Sequence, residues 1–233
     1  MKKNASLFGK AIVLAFPYTL PVLMGFGCLG ITYGIILSTQ GYSPLWAFLF
    51  SLFCYCGSMQ FVAITLLSVA FDPIQVFLLS LMVNARHLFY GLSLLSRFKP
   101  FGNFRYVLAF GLSDETFSLV STVEPPKNVS LKHFYGAITL LNYLYWAFAS
   151  LLGGIIGQAL PFELSGLEFV LTALIFVLFL EKWYDKSLRL NSLIGIVIGV
   201  ICLFIFGQTA FMIPSMIALF FVLLFKEKEG ETC

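Results

Sequence analysis

Charge is scarce in this chain. A soluble domain is roughly a quarter charged, whereas here 11% of the 233 residues are Asp, Glu, Lys or Arg. From Ala11 to Phe71 none of these occurs, nor any histidine, a run of 61 residues. One membrane-crossing helix needs about 20 apolar residues, so a soluble fold is excluded and this run alone holds two spans. The five cysteines are too few and too scattered for a disulfide or zinc framework, and Cys54 and Cys56 are one residue too close for CxxC. Two histidines exclude the usual histidine-rich metal centre, and there is no Walker A, GxSxG or HExxH signature. No cofactor and no metal are expected, and enzymatic activity is not. A β-barrel is disfavoured because no apolar–polar alternation runs over about ten residues. The net charge of +3 calls for no nucleic-acid partner, since basic residues at loop ends are what orient a membrane protein.

What is present is apolar sequence. The chain is 60% hydrophobic, with 27 phenylalanines. The expected fold class is all-α, a polytopic transmembrane helical bundle of about eight hydrophobic segments, some broken or re-entrant. The segments fall near 12–38, 45–70, 74–96, 106–123, 134–157, 167–181, 191–206 and 208–225, between loops such as TQGYSP, KPFGN, VEPPKN and GQTAFMIP. The opening MKKNASLFGKAIVLAF has the layout of a signal peptide but no clean cleavage site, so it is read as a retained first helix.

Basic residues orient the bundle. Lys2, Lys3 and Lys10 place the N-terminus inside. With eight full crossings, ten of the thirteen loop Lys and Arg residues lie inside and the C-terminus does too; Arg97, Lys99 and Arg105 are the misfits. If 45–70 turns back at CYCGSMQ and 106–123 at GLSDET, all thirteen fall inside. Eight crossings are the default and the re-entrant arrangement the alternative. The whole of 1–233 is taken as one integral membrane transport domain, with two halves, 1–123 and 134–233, hinted at by matching glycine clusters. Gly30 and Gly34 in the first segment, and Gly153 and Gly157 in the fifth, form small-xxx-small faces where helix backbones approach closely; a glycine-lined substrate path is the other reading.

Three polar constellations interrupt the apolar sequence. In SLMVNARHLFYGLSLL, Arg86 lies about 16 Å along a helix from Arg97, too deep to snorkel to the surface. A central arginine costs roughly 2.5–3.5 kcal/mol on insertion scales. Asn84, His87 and Gly91 share one helical stripe and Arg86, Tyr90 and Ser93 the next, a sector that must avoid lipid. The expected partners are Asp114 and Glu115 in FGLSDETFSL. One positive and two negative charges leave an excess of one, which a protonated His87 or a protonated carboxylate would balance. A static ion pair that only fixes helix register is the alternative. The third constellation is CYCGSMQF, where Gly57 and Ser58 can unwind a helix and Gln60 adds an amide. Freed backbone at such a break can bind one end of a small ligand; a plain packed kink is the other reading. An intramembrane enzyme built on His87, Asp114 and Glu115, or a channel-like permease, stands as the rival function class.

These residues also carry a family resemblance. FP…P…GFGCLGITYGIIL…GYSP, then CGSMQF, NARHLFYGLSL and SDETFSL, in that order, resemble the AzlC family, the large subunits of bacterial branched-chain amino-acid exporters. The resemblance covers most of the first 120 residues in motifs and the remainder in length and hydropathy. It implies a multi-pass protein of the bacterial cytoplasmic membrane that exports neutral, bulky amino acids such as valine, leucine and isoleucine, with methionine as a further candidate. It further implies a small four-helix AzlD-type partner subunit. The family's polar signatures fall on Gly57, Ser58 and Gln60, on Asn84, Arg86 and His87, and on Asp114 and Glu115. A zwitterion needs one positive and one negative partner, so Arg86 would meet the carboxylate and Asp114 or Glu115 the ammonium. With no ATP motif, an ion gradient, most simply of protons, would drive export.

Overall fold

A computed structural model describes residues 2–67, 73–127, 129–159 and 189–211, with isolated positions between 176 and 222. The expected segment 167–181, apart from positions 176 and 180, and part of 208–225 lie outside the described residues. Every regular element among those described is helical. The chain falls into two compact units, Met1–Ser165 and Gly166–Cys233. The first holds α1 (Lys2–Thr39), α2 (Pro44–Phe53), α3 (Gly57–Leu67), α4 (Pro73–Phe98), a 3-10 turn at Lys99–Phe101, α5 (Phe104–Phe110), α6 (Asp114–Thr122) and α7 (Leu131–Ala159). The second contains α8 (Arg189–Ala210), kinked at Gly207, where φ is 73°. Leu7–Thr39, Leu131–Ala159 and Arg189–Gly207 are long and apolar enough to cross a membrane.

The axis of the first unit is a parallel pair, α1 and α7. Phe8 meets His133 at one end, Phe26 meets Trp146 midway, and Gly157 meets Ile35 and Ser38 at the other end. Small residues set this closeness. A Cβ on Gly34 would collide with the backbone of Ser150 and Gly154, one on Gly153 with the backbone of Ile31, and one on Gly30 would lie 2.7 Å from Ala149 Cβ. In a bilayer, where burial against another helix gains little over burial in lipid, such backbone approach is the main source of helix affinity. Pro17 and Pro21 inside α1 are tolerated because a membrane helix can re-satisfy freed carbonyls locally.

The contact register decides between crossing and re-entry. Helix α2 descends antiparallel to α7: Pro44 and Ala47 lie against Gly154, Phe48 against Phe148, and Leu52 O accepts from Tyr143 Oη at 2.6 Å. The chain then breaks at Cys54–Cys56. On the far side Gln60 Nε2 donates to Ser51 Oγ at 3.0 Å, so α3 runs back alongside α2. Phe61 reaches Tyr33, nearer the C-terminal end of α1. The pair α2–α3 is a hairpin, and at about 15–16 Å per arm neither arm spans a 30 Å core.

Helix α4 then runs the full depth, antiparallel to α7, ending with Phe98 against Tyr135. A second hairpin rises from that end. Phe104 packs on Gly136 and Gly111 on Thr139, while after the break Thr116 bonds Asn142 and α6 descends until its carbonyls at Val120 and Ser121 accept from Arg97 Nη1. Both 45–70 and 106–123 therefore fold back, and the default of full crossings gives way to the re-entrant alternative. The physical reason is local. Tyr55 adopts a left-handed φ of 37°, while α5 ends at Gly111 and Ser113 starts α6 by accepting from Thr116 N at 3.1 Å.

The apolar core lies under the second hairpin, with Ala11, Ala15, Leu94, Phe98, Leu108, Val120, Phe134 and Ile138 all buried. Large exposed apolar residues such as Val13, Met24, Phe53, Ile74, Phe77 and Leu92 would be a liability in water and suit lipid.

The parallel seam generates a test. Gly34→Val should destabilise the first unit by about 3 kcal/mol or more through overpacking, lowering its thermal midpoint in detergent. Gly25→Ala, where a Cβ would meet nothing within 4 Å, should leave the midpoint at or above the original.

Candidate functional site

The two hairpin tips enter from opposite ends and meet halfway along α7, with Tyr143 as their common contact. Its ring lies 4.8 Å from that of Tyr55 at the first break and 6.2 Å from that of Phe110 at the second. Helix α4 passes beside both tips, and on it sits Arg86. Arg86 Nη1 pairs with Asp114 Oδ2 at 2.7 Å and Nη2 donates to Ser58 Oγ at 2.8 Å. One guanidinium thus ties the first turn of α3 to the first turn of α6, while its Nε is buried without a partner. Tyr90, one turn along α4, donates to Asp114 Oδ1 at 2.8 Å and stacks on Phe117 at 4.4 Å. The expected stripe Arg86–Tyr90 thus presents both side chains to one carboxylate.

The other sequence-nominated residues take distinct places. Asn84 Oδ1 accepts from Cys56 Sγ at 2.7 Å, which links α4 to the first break. His87 packs its ring edge against Tyr90 at 5.6 Å, on the flank of the ion pair rather than within it. Glu115 stands in the first turn of α6 beside the Ser113 hydroxyl, with no basic side chain in ion-pair range among the described residues. Gly57 lies under the indole of Trp146, where a Cβ would come 2.9 Å from the ring. Gln60 is 2% exposed and both ends of its amide are engaged, Nε2 with Ser51 and Oε1 accepting from Trp146 Nε1 at 2.6 Å. Gly57 and Gln60 therefore lock the first hairpin to α7, whereas Ser58, Asn84, Arg86 and Asp114 form the polar junction. Gly30, Gly34, Gly153 and Gly157 line the α1–α7 seam.

Sequence reasoning passed over Tyr55, Thr116, Asn142 and Trp146. Asn142 carried a signal, being the one carboxamide between Leu131 and Ile156 in α7; a polar residue inside an apolar span is a site candidate by default. Asn142 is fully buried and donates Nδ2 to Thr116 Oγ1 at 3.0 Å. Tyr55 carried none, since nothing in CYCGSMQ marks a tyrosine for left-handed backbone.

Two features define what the junction can do chemically. The side chains of Arg86 and Asp114 are 41% and 36% exposed, although they lie at mid-depth of the bundle. Charges there are not left facing lipid, so this face suits water or a polar ligand. The starts of α3 and α6 also differ. Half-helix N-termini present unbonded N–H groups and positive potential. Two carboxylates already occupy the first turn of α6, whereas the first turn of α3 has no acidic residue.

Comparison with known proteins follows the same residues. A model of the AzlC family, described as AzlC protein, matches residues 21–160. The branched-chain amino acid transport protein AzlC of Bacillus subtilis (strain 168) is 41% identical over 231 residues, covering 99% of this chain and 91% of its own. An uncharacterized membrane protein of Helicobacter pylori (strain ATCC 700392 / 26695) is 42% identical over 224 residues, covering 96% and 98%. Inner membrane protein YgaZ of Escherichia coli (strain K12) is 30% identical over 194 residues, covering 78% of each chain. No solved structure matches significantly.

The locked hairpin is testable by stability. Trp146→Phe leaves Gln60 Oε1 buried without a donor and should cost about 1–3 kcal/mol, read as a lower thermal midpoint. Gln60→Met in the same background, which removes the orphaned amide, should recover part of that loss.

Proposed function

From the premise that this chain belongs to the AzlC family, we propose that it is a secondary transporter exporting branched-chain amino acids. It would act as the large subunit of a two-component permease, with a small AzlD-type membrane protein as partner. One observation carries the reading: Arg86 joins two hairpin tips of opposite entry at mid-depth, on a face open enough for a ligand. The B. subtilis relative's name, a branched-chain amino acid transport protein, supports the substrate class.

The geometry suits a zwitterion. The amino acid's carboxylate lies between the Arg86 guanidinium, whose Nε is without a partner, and the free N–H groups at the start of α3. A planar guanidinium matches a carboxylate bidentately, and a half-helix N-terminus favours the same anion. The ammonium goes to the carboxylates at the start of α6, Asp114 and Glu115. Aliphatic side chains are received by the apolar wall that Met59 and Phe61 make with α1. Substrate binding exchanges an internal ion pair for two intermolecular ones and leaves the charge of the site unchanged. Desolvation, which makes a buried ion expensive, is thereby kept small.

The source of energy follows from the sequence, which lacks an ATP-binding motif, and an ion gradient drives export, of protons in the simplest case. The orientation follows from charge. Lys10, Arg97, Lys99, Arg105, Lys127 and Lys132 all belong to the end of the bundle at which α1 and α7 begin, so that end faces the cytoplasm of a bacterial inner membrane. The first hairpin then enters from outside and the second from inside.

Export of leucine from cells preloaded with leucine-containing dipeptides tests the reading. Arg86→Ala and Asp114→Asn, each at normal membrane abundance, should slow efflux about tenfold or more, as loss of a charged hydrogen bond implies. Full export by both variants would defeat it.

A further inference from the structure

A second polar cluster lies on the α7 side of the ion pair, and the Arg86–Asp114 contact does not use it. Its hub is Thr116 Oγ1, which accepts from Asn142 Nδ2 at 3.0 Å and from Ser113 Oγ at 3.1 Å. Tyr55, from the opposite hairpin, turns its hydroxyl toward Ser113 and Thr116. Glu115 borders the same space beside Ser113. Two of these groups are incomplete. Asn142 is 0% exposed and its Oδ1 has no donor, while Tyr55 is 6% exposed and its hydroxyl has no partner. Buried oxygens are almost always satisfied, and leaving one unpaired costs about 1–3 kcal/mol. The tyrosine is held there in left-handed backbone, at φ 37°, a conformation that itself costs about 1–3 kcal/mol and clusters at ligand clamps.

The charge balance points the same way. Arg86 pairs with Asp114, and Glu115, half-buried, has no basic partner among the described residues. A carboxyl group in that position takes up either a proton or a counter-cation. The surrounding donors are hydroxyl, carboxamide and carboxylate oxygens, with no cluster of three His, Cys, Asp or Glu among the described residues. That donor class suits a small hard cation rather than a transition metal, and helix breaks in the bilayer are where transporters hold such ions.

We propose that Tyr55, Ser113, Glu115, Thr116 and Asn142 form a site for one monovalent cation, Na+ or a proton carried as hydronium. The substrate's ammonium displaces that cation. The proposal rests on the export reading in one respect, the identity of the competing ligand. A primary ammonium and a monovalent cation each bring one positive charge to the same carboxylate, so they occupy it in turn. Mutual exclusion at one carboxylate is what exchange of an outgoing amino acid for an incoming cation requires. The other titratable or charged groups facing Glu115 are Asp114 on α6, Arg86 and Tyr90 on α4 and Tyr55 at the first break; His87 adjoins Arg86 and Asp114, and Tyr143 adjoins Tyr55.

The test uses the full chain in lipid nanodiscs and reads thermal unfolding. Na+ replaces choline at constant ionic strength, and acid is titrated separately in choline alone. One of the two should raise the melting temperature along a one-site curve, which names the occupant. Tyr55→Phe removes a hydroxyl directed at Ser113 and Thr116, so a purely structural role lowers the melting temperature without moving the midpoint of the cation curve. The proposal predicts cation affinity weakened about tenfold, the scale of losing one supporting contact at an ion site. L-leucine should shift the cation curve to higher concentration, competitively. Absence of any saturable response to Na+ or acid means that the cluster holds ordered water alone and overturns the proposal, as does a response unchanged in Tyr55→Phe. A cation response indifferent to bound leucine overturns the shared site. A chain that binds the cation but no amino acid overturns the export reading and leaves the cation site standing.

Discussion

A guanidinium in the middle of a membrane protein must be met by an anion and by hydrogen-bond acceptors, and the first unit is organised around that requirement. Arg86 cannot reach either surface, so its partners are brought to it. They arrive on two short helices that begin at mid-depth, one from each end of the bundle. Asp114 opens α6 and Ser58 lies in the first turn of α3. A continuous helix could present a carboxylate to Arg86, but it could not also present a fresh N-terminus with free N–H groups. The breaks at Cys54–Cys56 and Gly111–Ser113 give the site both kinds of group. They also expose backbone that only a buried or wet location tolerates.

Bringing two tips together at one depth demands a rigid backing, which the α1–α7 seam supplies. Glycine and serine let these helices approach until backbone meets backbone, and α7 then offers its other face to both hairpins. The first is locked there through Tyr143, Trp146 and Gln60. The second is held by Thr139 and Asn142, and α6 lies between two arginines of α4. Arg86 engages its first residue and Arg97 its last carbonyls. A cation at a helix C-terminus and a carboxylate at its N-terminus both agree with the helix dipole. Arg97, a misfit when every segment is taken to cross, has a structural task at the end of the bundle where the other basic residues gather.

Much of this was legible in the residues themselves. The apolar segments, the glycine faces and the need of Arg86 for Asp114 follow from general costs of burying charge in lipid. The turn-back points CYCGSMQ and GLSDET were also readable, because re-entry there puts every loop arginine and lysine on one side. What stayed hidden depends on register between distant elements. Gln60 reads as a ligand group in sequence, yet Ser51 and Trp146 occupy both ends of its amide once α3 folds against α2. His87 reads as a member of the charge cluster, but its position on α4 turns it to the flank, against Tyr90. Tyr55 and Asn142 gain meaning only because two tips from opposite directions converge on α7, and no local pattern encodes that convergence.

The path of the chain also bears on how a central site can open to either side. The order long helix, hairpin, long helix occurs twice, as α1, α2–α3, α4 and as α4, α5–α6, α7, with the second running in the opposite sense. Helix α4 belongs to both. The hairpins enter from opposite ends of the bundle, and the charged side chain that both contact among the described residues is Arg86, on the shared helix. A ligand that competes for Arg86 weakens its hold on Ser58 and on Asp114 together, and leaves Cys56–Asn84 and Tyr90–Asp114 as the bonds between the tips and α4. The remaining attachments are unequal, since Trp146–Gln60 and Tyr143–Leu52 keep the first hairpin on α7 while the second keeps Asn142–Thr116 and the Arg97 contacts at the far end of α6. With Arg86 withdrawn from Asp114, α6 stays tied to α7 through Thr116 in its first turn and to α4 through the Arg97 contacts at its last carbonyls, so its depth is fixed at both ends.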